Sequence, residues 1–407
     1  TMLLVENKQE KLINILKIGL NPFEKFVATG EIKEDLGLVP SRKVFLKKIT
    51  KIIQDQNNFI LPIIGEIGIG KTHLFWAIKN KLLYHNSIYV SLENVSRKFF
   101  YKLYSLYIEE LGVEPLRSIT NTLCNKWGAL EKKFGFFHIV DIAKIRENAY
   151  EDLADHFEDN VALGDVINAI TAHQLDPYKR LEAESWLLGE LMDVGDLSRL
   201  NIMNDLSFKQ NAFTMLKILI ENSILESLLF IDDFEKIISM MKSEGEEEAI
   251  FDPSYLYGET ESPESKAAQK ILNRILKLFE IKGMKLVVTL KSINALEEIK
   301  KFALEVDPEY LNYFLDPIII PPLNNEDIYD LYQKNMENFL RNINYSKFID
   351  EFQESFFPLT KEILDAIYEC SLGNPRKIIK YFIEIFNNII YSEEKLDTLL
   401  KNYKEIC

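Results

Sequence analysis

The 407-residue chain holds only three cysteines, Cys124, Cys370 and Cys407. Their spacing forms neither a zinc motif nor a disulfide framework, so a reducing, cytoplasmic home is expected. No apolar run approaches the 18 or more residues that a membrane helix needs, which excludes a membrane-spanning chain of that kind. Glu6, Lys8, Glu10 and Lys11 stand where a signal peptide would carry an apolar stretch. Arginine is scarce, with nine residues against 39 lysines, and the basic total of 48 is outweighed by 63 acidic residues for a net charge of -15. That balance opposes non-specific attraction to nucleic acid or anionic lipid, so any nucleic-acid contact is expected to be local or to run through partners. What remains is 47% apolar and 27% charged, the composition of an ordinary globular chain long enough for more than one structural unit. There are no internal repeats.

Apolar periodicity predicts an opening helix over Leu12–Leu20, stopped by Asn21 and Pro22, and a second over Val44–Ile53. Buried strands are predicted at Phe59–Ile64, Ser87–Leu92, Leu228–Asp232, Leu286–Leu290 and Pro317–Ile320. Pro62 argues against the first as a central strand, because proline donates nothing to a ladder; the glycine-rich segment that follows argues for it. Helical segments separate the strands, the pattern of an α/β fold with a parallel sheet covered on both faces. Between the second and third strands the chain has helical period from about Arg97 to Asn222. A simple crossover needs only about 10 to 12 residues, so an inserted helical subdomain is expected. Its Phe99, Phe100, Tyr101, Tyr104 and Tyr107 suit core packing better than stacking on bases. Glu244, Glu246, Glu247, Glu248, Asp252, Glu259, Glu261 and Glu264 oppose only Lys242 and Lys266, the composition of a mobile acidic loop or of a partner-binding or autoinhibitory one. Helices resume from Asn324 or Asn325 and are broken at Ser371–Pro375.

Residues 65–72, GEIGIGKT, carry the strongest chemical signal. Four residues separate Gly65 from Gly70, Lys71 and Thr72, after a strand and before a helix, the spacing of a phosphate-binding loop. Glycines let backbone amides turn toward phosphate, and the following helix adds the positive end of its dipole. The candidate binding segment is therefore Gly65, Glu66, Ile67, Gly68, Ile69, Gly70, Lys71, Thr72 and His73, with Lys71 for the outer phosphates and Thr72 for magnesium. His73 on its own reads as a packing residue at the helix start. Leu228–Ile231 then end in Asp232 and Asp233, an apolar strand closing on two carboxylates where metal is held and water activated. Asp232 is the candidate metal ligand. Asp233 is the candidate for orienting or deprotonating water, with the longer Glu235 as the alternative.

These two motifs on this strand order resemble the AAA+ and STAND group of P-loop ATPases, with ATP or ADP and Mg2+ as the implied cofactors. The resemblance spans roughly residues 21–95 and 223–390. It implies that Asn21, Pro22 and Phe23, then Val39, Pro40, Ser41 and Arg42, form the lead-in that cups adenine in the origin-recognition-like and STAND branches. It also implies that Thr289 is a first sensor, though a plain strand residue is an equal reading, and that Gly373–Arg376 is a second sensor whose Arg376 meets the terminal phosphate. LFIDDFEKI is similar to a segment of ATPases in archaeal and bacterial mobile-element and BREX-type defence loci. The expected domains are a helix at 1–20, a core at 21–95 and 223–320, a helical insertion at 96–222 and a helical lid at 321–407.

The pattern also has gaps. Ile293–Asp316 contains Lys300 and Lys301 but no arginine to serve as a finger, and Asp233 stands where the family usually has glutamate. The chain stops at Cys407, leaving no room for a winged-helix module, so sequence-specific DNA binding is not expected. Two functions follow: an ATPase whose nucleotide state drives the angle between core and lid in a DNA-associated complex with protein partners, or a STAND-like switch that retains nucleotide and assembles on a trigger.

Overall fold

The computed structural model describes residues 2–24, 39–92, 98–129, 140–238 and 263–403. Nearly all of the acidic stretch, residues 244–262, lies outside them. Five strands are present: β1 (Phe59–Ile64), β2 (His85–Ser91), β3 (Glu226–Asp232), β4 (Lys285–Leu290) and β5 (Ile318–Ile319). They form one sheet in the order β2-β3-β4-β1-β5, with parallel pairing of β2 with β3, β3 with β4, and β1 with β5. The fold is therefore α/β with a parallel sheet, and every strand end falls within two residues of its expected place. Strands β1 and β4 are buried at every position, so they read as unbroken apolar runs with no alternation.

Pro62 is accommodated by direction. Ile60 and Ile64 accept hydrogen bonds on one side of β1, from the amides of Leu315 at 2.9 Å and Ile320 at 2.8 Å, while the Phe59 amide donates to Met284 on the other at 3.3 Å. Alternation along a strand turns the Pro62 nitrogen to the same side as Ile60 and Ile64, where the partner strand is only two residues long.

Two compact units divide the chain: residues 1–55, 63–83 and 317–407 form one, residues 56–62 and 84–316 the other. The first contains α1 (Met2–Leu16), α2 (Pro40–Asp55), α3 (Lys71–Lys81) and, from the C-terminal segment, α13 (Asn325–Asn342), α14 (Ile349–Ser355), α15 (Lys361–Ser371), α16 (Pro375–Tyr391) and α17 (Leu396–Lys401). Asn324 opens α13 with a reciprocal capping box to Asp327. Phe23 is fully buried and packs against Tyr332, Phe382 and Phe386, with ring centroids 6.0, 4.7 and 5.2 Å away. Asn21 ties this entry segment down by donating to Ile383 O at 3.1 Å and Asn387 Oδ1 at 2.9 Å. The Phe23 ring thus belongs to the apolar core of this unit. Cys370 is disulfide-bonded, which corrects the expectation of unpaired cysteines and withdraws their support for a reducing compartment. Cys124 is free and buried, and burial pushes its thiol up to about 12.

The second unit carries β2, β3 and β4 and, between β2 and β3, the helices α4 (Phe99–Leu111), α5 (Val113–Cys124), α6 (Ile142–Leu153), α7 (Asn160–Leu175), α8 (Arg180–Leu187), α9 (Val194–Leu200) and α10 (Lys209–Asn222). Helices α11 (Pro263–Lys277) and α12 (Ile293–Val306) flank β4 in sequence. Phe99, Phe100, Tyr104 and Tyr107 are buried, and the Tyr101 hydroxyl donates to Gly189 O at 2.9 Å. These aromatics are core, as their helical spacing predicts. Inside the helices, buried His173 meets Glu184 through Nε2 at 2.7 Å and Thr120 through Nδ1 at 3.0 Å. Arg117 grips the same carboxylate with two nitrogens at 2.9 and 2.7 Å. Hydrogen bonding to Arg117 holds Glu184 down at about 2, and burial lowers the His173 pKa.

Candidate functional site

The phosphate-loop segment belongs to the first unit and the carboxylates at the end of β3 to the second, and each has its own geometry. In the loop, one carbonyl after another is taken by a donor. The Lys71 ammonium donates to Gly65 O at 2.5 Å and Glu66 O at 3.1 Å. Asn374 Nδ2 donates to Ile67 O at 2.9 Å, the Arg376 amide to Gly68 O at 3.2 Å, and Arg42 Nη2 to Ile69 O at 3.5 Å. Five consecutive carbonyls are thus engaged. The amides of Ile67, Gly68 and Gly70 donate to no other described residue. Turned carbonyls and unengaged amides at the start of the 11-residue helix α3 are an arrangement with the chemistry to receive an anion.

Gly68 is needed for this arrangement on two counts. Its φ is +85°, and a Cβ there would lie 2.8 Å from Asn374 Oδ1 and 2.9 Å from the Arg376 Cβ. Lys71 is 7% exposed, whereas Glu66, Ile67 and Gly70 are exposed, Ile69 is buried, and Thr72 and His73 are half-buried on α3.

Arg42 stands beside the loop from α2, itself only 7% exposed. Burial pushes its guanidinium down to about 10, opposed by the charge of Asp327. Nη1 is buried and meets no acceptor among the described residues, which leaves a strong donor unsatisfied next to the loop. Asp327 fixes the start of α2 by accepting from the Ser41 amide at 3.2 Å and hydroxyl at 2.5 Å. Val39 is buried in the apolar cluster with Phe23 and Leu323, and Arg376 presents an exposed side chain.

In the second unit, Asp232 ends β3 at 7% exposure. Donors that hold it include the Thr289 hydroxyl on Oδ1, the Asp233 amide on Oδ1 at 3.1 Å, and the Tyr89 hydroxyl on Oδ2 at 2.8 Å. The Asp233 amide is shared with Thr289 Oγ1 at 2.9 Å, and the Phe234 amide donates to Thr289 O at 2.8 Å. The turn that follows places Asp233 at φ 50°, a left-handed conformation that Asp tolerates better than most residues. The Asp233 side chain lies half-exposed, 3.5 Å from the Lys236 ammonium, and Glu235 is half-buried in the same turn. Thr289, Asp232 and Asp233 are therefore brought together as one hydrogen-bonded group. Tyr89 joins it from β2, a residue that the sequence pattern marks only as a strand position.

Among the described residues no group of three or more His, Cys, Asp or Glu side chains gathers to hold a metal. Magnesium at a phosphate site needs only one or two carboxylates, its other ligands being phosphate oxygens and water, so the residue set fits a metal that arrives with a nucleotide. No helix among the described residues is long and apolar enough to cross a membrane.

No family model matches the chain, and no curated protein sequence does. Among solved structures the chain is similar to that of the Aeropyrum pernix ORC2 protein in its ADPNP-ADP complexes, with 13% sequence identity over 92% of this chain and 71% of that chain and a TM-score of 0.38. A likeness this loose carries no argument about function.

Proposed function

We propose that the chain binds ATP with magnesium and hydrolyses it. The observation that carries this reading is the loop at 65–70, whose carbonyls at Gly65 through Ile69 are all engaged by donors of the protein. A polypeptide turn packed for its own sake has no reason to turn its amides outward while burying a lysine against two of its carbonyls. An anion offers that reason: phosphate replaces the carbonyls as the partner of Lys71 and collects the unengaged amides. Bound ATP supplies the phosphoryl group and Mg2+ the charge neutralisation, with Thr72 and Asp232 as the residues that would hold the metal. Asp233 orients or deprotonates the attacking water in this reading, with Glu235 as the alternative base. Arg42 from α2 and Val39 just before it serve the nucleotide, and Arg376 senses the terminal phosphate.

The test is turnover against binding. Asp233→Asn is expected to keep ATP affinity within about threefold while hydrolysis falls at least about a hundredfold, the scale of losing a positioned general base. Unchanged hydrolysis in Asp233→Asn together with loss in Glu235→Gln moves the base to Glu235; unchanged hydrolysis in both removes the carboxylates from catalysis. The DNA-associated role is an expectation of the motif resemblance, and DNA-stimulated turnover is its test. The switch reading draws support from Asp233, whose shorter side chain lies at an ion-pair distance from Lys236 and suits slow turnover. It predicts ADP retained through purification.

A further inference from the structure

The turn before α16 touches the phosphate loop through two groups that are not the sensor side chain. Asn374 Nδ2 donates to Ile67 O at 2.9 Å, and the Arg376 amide is shared between Asn374 Oδ1 at 3.1 Å and Gly68 O at 3.2 Å. We infer that Asn374 is a positioning residue for nucleotide binding, a latch that turns the middle of the loop so that its amides face phosphate. The inference deepens the nucleotide-binding reading and rests on it.

The latch is anchored from behind. Gly373 has φ +72°, and a Cβ there would run into the Leu323 carbonyl oxygen. The Leu323 amide donates back to Gly373 O at 2.8 Å, and three residues earlier the Ile320 amide donates to Ile64 O at 2.8 Å. Ile64 is the last residue of β1, so the start of the loop and its middle are tied to the same short stretch of backbone, Ile320–Leu323. A loop held at both points has fewer conformations to lose when it closes on a ligand, which is how a remote hydrogen bond adds affinity. Gly68 makes the close approach of Asn374 sterically feasible, which gives the glycine between Gly65 and Gly70 a purpose that phosphate binding alone does not.

A rival account makes Asn374 only the cap of α16, because its Oδ1 also accepts the Arg376 and Lys377 amides. Substitution separates the two roles. Asp and Ser are N-caps as good as Asn, yet neither carries a donor able to reach Ile67 O from an amide nitrogen's position. Asn374→Ser and Asn374→Asp, each titrated calorimetrically with ATP and separately with ADP, are expected to hold their melting temperature within about 2 °C of the unaltered chain. In Asn374→Ser both nucleotides are expected to weaken about three- to tenfold and by equal factors, the net worth of one hydrogen bond. In Asn374→Asp the loss is expected to be larger, since the carboxylate faces a carbonyl. Unchanged affinity in Asn374→Ser reduces Asn374 to a cap and overturns the inference. So does a loss confined to ATP, which belongs to the terminal phosphate, or a loss in both variants that merely follows a lowered melting temperature. Lys71→Ala in the same titrations keeps the two readings apart. If it binds nucleotide normally, nucleotide binding by the loop falls; if it does not bind while Asn374→Ser is unaffected, only the latch falls.

Discussion

Thr289→Val removes one oxygen from the most buried part of the β3 group and leaves the shape of the side chain intact. Thr289 is 0% exposed, so the new methyl needs no new space. Its hydroxyl donates to Asp232 Oδ1 and accepts the Asp233 amide at 2.9 Å. In the Val variant Asp232 keeps the Tyr89 hydroxyl and the Asp233 amide but loses the Thr289 donor in a site too buried for free exchange with water. A hydrogen bond to a charged group contributes about 1.5 to 3 kcal/mol. The Asp233 amide retains one acceptor, so the cost is expected at about 2 kcal/mol. For a unit of this size that is a fall in melting temperature of roughly 4 to 8 °C, read by calorimetry. Tyr89→Phe removes a donor from the other oxygen at a less buried edge and is expected to cost about 1 kcal/mol. ATP affinity should be little changed in Thr289→Val, while magnesium-dependent turnover falls because the carboxylate is less well aimed. A melting temperature within 1 °C of the unaltered chain would refute the claim that this hydroxyl fixes Asp232.

Gly373→Ala is expected to cost at least about 2 kcal/mol, since the new Cβ meets the Leu323 carbonyl at a left-handed φ of +72°; chemical denaturation with no shift of midpoint would show that the turn relaxes freely. Acid should destabilise the helical part of the second unit in two stages. Burial, the main cause, and the nearby charges of Arg180 and Arg117 lower the His173 pKa from its usual 6.5 despite Glu184, so the unfolded chain takes up the proton first and stability falls as pH drops below about 6.5. Glu184, held down at about 2 by Arg117, contributes stability that is fully present above the ordinary carboxylate range and is lost as pH falls toward 2. His173→Gln is expected to flatten the upper stage in a melting-temperature series from pH 7.5 to 5; an unaltered slope assigns that stage to another group.

Much of the sheet was legible because strands buried on both faces are written as short apolar runs, and β1 and β4 are of this kind. Pro62 argues against a central strand in the sequence because sequence does not tell which side of β1 its nitrogen faces. The turn at 65–70 between β1 and α3 is legible for a local reason: its glycines, lysine and the start of α3 all lie within eight residues. What holds the loop was not. Asn374 is 307 positions from Ile67, and nothing in Gly373–Arg376 says that its amide nitrogen meets a loop carbonyl. Arg42 stands out in the sequence by the rarity of arginine and by its place in a lead-in, while its burial beside Ile69 depends on the packing of α2 against α13. Phe23 is a similar case: the resemblance places it in a lead-in segment, and nothing local in the sequence says that its ring packs against Tyr332, Phe382 and Phe386. Tyr89 left no signal, because a tyrosine in a strand reads as packing until its hydroxyl is seen on Asp232.

Titration of the full chain and of Lys71→Ala with ATP and magnesium tests the central claim most directly. Lys71 is the lysine that occupies the loop carbonyls of Gly65 and Glu66, and no other lysine lies within residues 65–72. The account predicts a saturable, one-site heat for the unaltered chain and none for Lys71→Ala at the same concentrations, with both proteins shown to be folded at the titration temperature without nucleotide. Equal ATP affinity in the two proteins, or no binding by the unaltered chain, would contradict it.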